Sequence, residues 1–358
     1  MNWPLVALEK FLCNLLTAPI PGKERRHRMR NWFHPLSPER CIRYIARRYV
    51  IGHDFGAESP MKSWEETTKT PKETPQTSGK IAKCPVEIAN TSKENAHSSA
   101  GNSLASKPGS PFLPAEKEYI WQCWLQGVEQ APPLVRNCLD SVQRYKLPHQ
   151  EVVVVTERNF SDYVQLPPAI LAKRAAGKIG AAHFSDILRV FLLEQYGGYW
   201  IDATCLLTDT FPERIRQESF FMYHSHGEFA YTQIQSCFIR SEAGHYLIRA
   251  WRQVLEAYWA SEPRLIHYFL LHLMFVALSR HDARFARLYG AMPYVPENPT
   301  HVLHGYLMEG RAWDKKLYET AVSQSFLHKL SYKFPEEYLH EAVPTFASVF
   351  SQRPISWA

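Results

Sequence analysis

The stretch His183–Thr208, HFSDILRVFLLEQYGGYWIDATCLLT, decides the fold. Phe184, Ile187, Leu188, Phe191 and Leu192 recur at i, i+3, i+4, i+7 and i+8, which is one apolar face of a helix. Ser185 and Asp186 lie near its start, with Arg189 one turn beyond Asp186. Gly197-Gly198 stops the helix, because glycine accepts the left-handed backbone that closes a C-terminus. Tyr199-Trp200-Ile201 is then a short, bulky, β-prone run. It delivers Asp202 to the carboxyl end of a strand, the edge at which open α/β sheets bind ligands.

Working outward, the chain from Glu118 alternates between strand and helix signals. Tyr119–Trp124 reads as a strand and Pro133–Tyr145 as a helix with Val135, Cys138, Leu139 and Val142 inward. Glu151–Thr156 is a nearly continuous apolar run, the pattern of a strand covered on both faces. Phe160–Tyr163 and Pro168–Ala176 read as short helices, Phe220–His224 and Gln235–Arg240 as strands. Gly244–Trp259 and Pro263–Arg280 read as long helices. This order predicts an α/β domain with a doubly wound, mostly parallel sheet flanked by helices. No G-x-G-x-x-G follows the first strand, which argues against a dinucleotide enzyme.

The flanks differ in composition. Residues 1–57 form a small helical segment in which Leu5, Leu8, Phe11, Leu12, Leu15 and Leu16 share a face. The basic run KERRHRMR (Lys23–Arg30) follows. Such a pair suits either an anchor on an anionic membrane surface or a helix packed on the main domain. Residues 58–112 are rich in Lys, Thr, Ser, Glu and Pro with few large apolar side chains, the composition of a disordered linker. The main domain is expected over 113–340, with a C-terminal tail over 341–358.

A net charge of +6 is too diffuse for a nucleic-acid partner. The seven cysteines show no C-x-x-C, so neither a disulfide framework nor a zinc site is indicated. Sixteen histidines include the pairs His224/His226, His267/His272 and His301/His304, none in HExxH form. No apolar run approaches the roughly 18 residues of a membrane span.

The motif S-D-x-x-R followed by Y-G-G-Y-W-I-D-x-T resembles the signature of capsular polysaccharide synthesis and family 32 glycosyltransferase proteins. IWQCWLQG (Ile120–Gly127), APPLVRNCLDSV (Ala131–Val142) and HKLSYK (His328–Lys333) are similar to the family's opening and closing motifs. The resemblance implies a GT-A-like Rossmann-type fold with a D-x-D motif, here Asp202-Ala203-Thr204 with the second carboxylate replaced. It implies a hexosyltransferase that is metal-dependent and retaining. Its donor is a nucleotide-diphosphate sugar, and its acceptor a glycan or lipid-linked glycan of capsule or lipopolysaccharide. It also implies a place on the cytoplasmic face of the bacterial inner membrane.

On that reading Asp202, Thr204 and His328 hold Mn²⁺ or Mg²⁺ on the diphosphate, and Lys329 neutralises the departing phosphate. Asp186 and Arg189 hold the donor, with Gln122, Trp124 and Gly198 beside it. Competing readings are a plain i, i+3 ion pair for Asp186 and Arg189, a β-branched strand residue for Thr204, and core aromatics for Trp121 and Trp124. At the level of the whole chain, a non-catalytic nucleotide-sugar or glycan-binding module is the alternative.

Overall fold

The computed structural model describes residues 37–56 and 117–352. The apolar helix and basic run expected within residues 1–36, and the linker expected over 58–112, lie outside the described residues.

The chain enters as α1 (Pro38–Ile45), continued by a wider turn over Ala46–Val50. Then follow β1 (Glu118–Cys123), α2 (Pro133–Tyr145), β2 (Gln150–Val155), α3 (Pro168–Ala175), α4 (Ala181–Tyr196) and β3 (Gly198–Ile201). Next come β4 (Cys205–Leu207), α5 (Glu213–Arg216), β5 (Phe220–His224), β6 (Ile234–Ser241), α6 (Tyr246–Ser261) and α7 (Leu270–His281). The chain closes with α8 (Ala283–Ala291), α9 (Asn298–Met308), α10 (Lys315–Val322), β7 (Leu327–Lys329) and α11 (Phe346–Phe350).

The five-stranded sheet has the order β2-β1-β3-β6-β5. β1 pairs in parallel with β2 and β3, while β6 pairs antiparallel with both β3 and β5. Four strands therefore share one direction and β6 alone is reversed, so the sheet is mostly parallel and helix-flanked as the alternation predicts. β4 and β7 form a separate antiparallel pair.

Alternation along the strands sorts side chains to two cores. Trp121 and Trp200 join one core with Phe184, Ile187 and Leu188 of α4 and the apolar residues of α6 and α7. Ile120, Tyr199 and Ile201 join the other, with Val142 of α2. The double glycine is demanded by close backbone approach. Gly197 and Gly198 have φ of +67° and +87°. A Cβ on Gly198 would lie 2.1 Å from the Tyr119 carbonyl oxygen, and one on Gly197 2.5 Å from the Ala243 nitrogen.

Three boundaries differ from the sequence reading. The helix expected from Pro263 begins only at Leu270. The Tyr258 hydroxyl donates to the Arg264 carbonyl (2.7 Å) and accepts from the Ile266 N–H (3.1 Å), which holds the preceding residues in a loop. α4 begins at Ala181, so Asp186 sits in its second turn rather than at its start. Residues Phe346–Phe350, expected in a tail, form a helix capped by Thr345 and packed with Leu134 and Leu303.

The described part of the N-terminal segment packs on the main domain. Cys41, Ile42 and Ile45 of α1 are buried in the core shared with α7. Among the described residues no helix is long and apolar enough to cross a membrane.

Candidate functional site at the carboxyl edge of the sheet

β3 ends at Ile201, and Asp202 follows at the sheet's carboxyl edge. The Asp202 N–H donates to the Cys237 carbonyl of β6 (2.8 Å), and the Asp202 carbonyl accepts from the Cys205 N–H (2.8 Å). The aspartate is thereby fixed in a tight turn between β3 and β4. Trp200 and Asp202, two residues apart, share a face, and Trp200 Nε1 donates to Asp202 Oδ1 at 2.9 Å. α4 brings Arg189 to the same oxygen, with Nη2 at 3.2 Å. From the far end of the chain, β7 brings Lys329, whose Nζ lies 2.8 Å from Asp202 Oδ2 and 2.7 Å from Thr204 Oγ1. Pairing sets that approach: Cys205 faces Lys329 in the β4–β7 register, and the Leu330 N–H donates to the Thr204 carbonyl (2.8 Å).

Arg189 is 4% exposed. Its Nη1 donates to the Ser236 carbonyl (2.8 Å), Nη2 also reaches Asp186 Oδ1 (3.2 Å), and its guanidinium stacks 4.9 Å from the Trp200 ring centroid. The expected i, i+3 pair with Asp186 therefore exists, and Arg189 extends it to Asp202. With Nη1 and Nη2 engaged by protein acceptors and its Nε buried without a partner, Arg189 positions the two carboxylates. The side chains of Asp202, Lys329 and Asp186 keep 23%, 25% and 17% exposure, so these three form the accessible lip.

The electrostatics follow from that packing. Burial pushes the Asp202 carboxyl up, but Lys329, Arg189 and the hydrogen bonds from Lys329 and Trp200 outweigh it and hold it well below the usual carboxylate range. Burial pushes the Lys329 ammonium down, and the Asp202 charge more than reverses this. Opposite displacements are what a formed ion pair requires. For Asp186 burial wins over the attraction of Arg189 and His183, so its carboxyl is displaced upward.

Other expected site residues stand elsewhere. His328 alternates with Lys329 along β7 and is wholly buried, with Nε2 3.2 Å from Thr208 Oγ1; it does not join Asp202. Gln122 lies on the Ile120 side of β1, opposite the Trp121 face, and is fully buried with neither amide atom hydrogen-bonded within the protein. Gly198 is at the amino end of β3, away from Asp202, and serves backbone packing. Trp124 is set against the Tyr332 ring at 5.5 Å in the small apolar cluster that contains Ala203, adjacent to the site.

Two contributors were overlooked. Trp200 orients Asp202, and its i, i+2 spacing already placed it on the same face. His272 of α7 lies close enough to feel Arg189, and burial with that charge drives its imidazole down to about 3. The sequence offered it only as one of a His267/His272 pair, and tertiary packing reveals its neighbourhood.

The arrangement does not fit the divalent cation that the resemblance implied. Oxygen-bound Mg²⁺ or Mn²⁺ beside a diphosphate needs one or two carboxylates with an oxygen open to it at about 2.0–2.2 Å. Here the two Asp202 oxygens accept three N–H donors, two of them cationic, and Thr204 Oγ1 accepts the second bond from Lys329. Among the described residues no group of three or more His, Cys, Asp or Glu side chains is arranged to hold a metal.

A helix-flanked, mostly parallel sheet with a charged lip at its carboxyl edge defines an α/β protein with a candidate ligand site at that edge. The family model for capsular polysaccharide synthesis proteins matches residues 85–349, and the chain belongs to that family. Comparison with curated proteins gives no match. Membership assigns the chain a role in capsule biosynthesis.

Proposed function

We propose that this chain is a glycosyltransferase that moves a sugar from a nucleotide-diphosphate-sugar donor to a capsular glycan or lipid-linked glycan acceptor. The observation that carries this reading is the accessible Asp202–Lys329 pair at the carboxyl edge of the sheet, held by Arg189 and Trp200. In the reaction the bond from the sugar C1 to the diphosphate oxygen breaks and its electron pair stays on that oxygen. The acceptor hydroxyl oxygen forms the new bond to C1 and releases its proton to the departing diphosphate. Negative charge grows on the leaving phosphate, and an ammonium fixed beside it stabilises that charge before any rearrangement is needed.

Asp202 keeps Lys329 protonated and aimed. Asp186, displaced toward the neutral form and partly exposed, accepts hydrogen bonds from donor sugar or ribose hydroxyls. Retention of anomeric configuration is the outcome the family resemblance implies. Attachment to an anionic membrane through residues 5–30 belongs to the same reading, and flotation with acidic-lipid vesicles checks it.

The test is nucleotide release from a panel of UDP-, GDP- and CMP-sugars, with a capsule-derived acceptor extract added, for wild type and Asp202→Ala. Acceptor-dependent release from one donor, lost in the variant, supports the transferase. Donor uptake without cleavage under every condition supports a binding module instead.

A further inference from the structure

The lip of the site already contains a cation where a metal would have to sit. We propose that the Lys329 ammonium replaces the divalent ion, so that sugar transfer by this protein proceeds without metal. The proposal rests on the glycosyltransferase reading above and adds how the leaving diphosphate is neutralised.

Geometry is the first support. The second position of the D-x-D pattern is Thr204, and Lys329 Nζ bridges it to Asp202 at 2.7 Å and 2.8 Å. A metal ion bound to the same two oxygens at about 2.1 Å would overlap that nitrogen. Ammonium and metal are therefore alternatives at one position. The remaining Asp202 oxygen is closed by Trp200 and Arg189 at 2.9 Å and 3.2 Å.

Charge is the second. Lys329 and Arg189 already bracket Asp202, and with Asp186 on Arg189 the two cations balance the two carboxylates, so a dication placed there would add uncompensated positive charge. No added ligand redresses this. His328, the only imidazole in the closing motif, is turned to Thr208 on the other side of β7.

Preorganisation is the third. Lys329 does not hang from a free loop. It is the last residue of β7, registered against Cys205, and the next residue is hydrogen-bonded back to Thr204. An ammonium has three N–H donors. Two are used on Asp202 and Thr204, which leaves one for a phosphate oxygen with a quarter of the side chain exposed. During transfer that N–H meets the oxygen that receives the C1–O electron pair. The ammonium stays protonated throughout, and the acceptor proton goes to the diphosphate.

The experiment measures nucleotide release from the donor panel in excess chelator and in Mn²⁺, for wild type, Lys329→Met and Lys329→Arg. Mn²⁺ binding to the wild type is followed by electron paramagnetic resonance with and without UDP or GDP. Fold is checked by far-UV circular dichroism and the thermal midpoint. The expected result is release in chelator within about 2-fold of that in Mn²⁺, a loss of about 100-fold or more in Lys329→Met, and partial retention in Lys329→Arg. The wild-type Mn²⁺ spectrum is expected to remain that of free ion.

Release abolished by chelator and restored by Mn²⁺, or a bound Mn²⁺ signal that appears with nucleotide, overturns the proposal and leaves the transferase standing. If Lys329→Met does not fold, the wild-type chelator and resonance results decide alone. If no donor is turned over, the transferase reading falls. Calorimetric binding of UDP or GDP in chelator then decides the cation's role, because binding that needs Mn²⁺, or no binding at all, overturns it.

Discussion

Two carboxylates in this protein are packed away from water by different means. Glu262, at the end of α6, is 3% exposed. Its Oε1 accepts from the Tyr44 and Tyr49 hydroxyls, the latter at 2.9 Å, and lies 3.7 Å from Arg48, whose side chain is 55% exposed, while Lys173 Nζ donates to the Glu262 carbonyl at 2.9 Å. Asp202 keeps 23% exposure and faces two cations directly. Neutral hydroxyls are enough to satisfy a carboxylate whose task is to fasten one segment to another, and Glu262 fastens the segment of α1 to α6. Cations at an accessible edge do more than satisfy Asp202; they offer charge to whatever binds beside it. On the proposed function, the difference separates a carboxylate that fastens segments from one that holds a cation at the site.

The largest effect should come from breaking the functional member. Asp202→Ala is expected to lower acceptor-dependent nucleotide release by roughly 1,000-fold, since Lys329 loses its anchor and Arg189 its bridge. Urea unfolding should show a loss of only about 1–2 kcal/mol, because Lys329 is partly exposed and the buried Arg189 keeps Asp186 as its partner. Glu262→Ala should reverse the pattern. The buried Tyr49 hydroxyl and the partly buried Tyr44 hydroxyl lose an acceptor, with an expected loss of about 1–3 kcal/mol and release within about 2-fold of wild type. Loss of activity in Glu262→Ala with stability intact would break the distinction.

Gly198→Ala tests the frame that aims Asp202. A methyl group 2.1 Å from the Tyr119 carbonyl, at φ +87°, must push β3 away from β1. The variant is expected to be largely insoluble, or to unfold at least ~3 kcal/mol more easily than wild type. Gly177→Ala, which also has positive φ but open space around its Cβ, should cost about 1 kcal/mol.

The pH profile gives the smallest effect. The lowered Asp202 pKa contributes stability that is present above the unfolded value of ~3.9 and lost as pH falls through the folded value. The raised Lys329 pKa contributes stability that is present below ~10.4 and lost as pH rises through the folded value. Between about pH 5 and 9 this pair is silent. Burial holds His328 and His301 down at about 4. Their contribution is therefore present above ~6.5 and declines as pH falls toward 4. The thermal midpoint should drop between pH 7 and pH 5, and His328→Phe should flatten that drop. An unchanged slope would remove His328 as a source of acid sensitivity.

Much of this was readable in the chain. The i, i+3, i+4 pattern of α4, the double glycine and the β-prone run located β3 and Asp202, because each depends on local backbone chemistry. The apolar run Glu151–Thr156 disclosed β2, an edge strand with Val153 and Val155 buried and Val152 and Val154 half-buried. What could not be read was which of two neighbouring residues faces the site. His328 and Lys329 are adjacent, and only the β4–β7 register decides that the lysine reaches Asp202 and the histidine reaches Thr208. Gln122 is decided in the same way, since one step along β1 exchanges one sheet face for the other and sets it opposite Trp121. The start of α7 was misplaced because Tyr258 fixes the loop before it from a distance. Motif residues told where charge gathers, and pairing told which charge meets which.

The central claim is that Lys329, held by Asp202, is the cation that meets a nucleotide diphosphate. Titration calorimetry of UDP and GDP in excess chelator, comparing wild type, Lys329→Met and Glu262→Gln, tests it most directly. Binding of one nucleotide to wild type and Glu262→Gln with equal affinity, weakened about 30-fold or more in Lys329→Met, is the expected result. Equal affinity in wild type and Lys329→Met, or binding that appears only when Mn²⁺ is supplied, would contradict it.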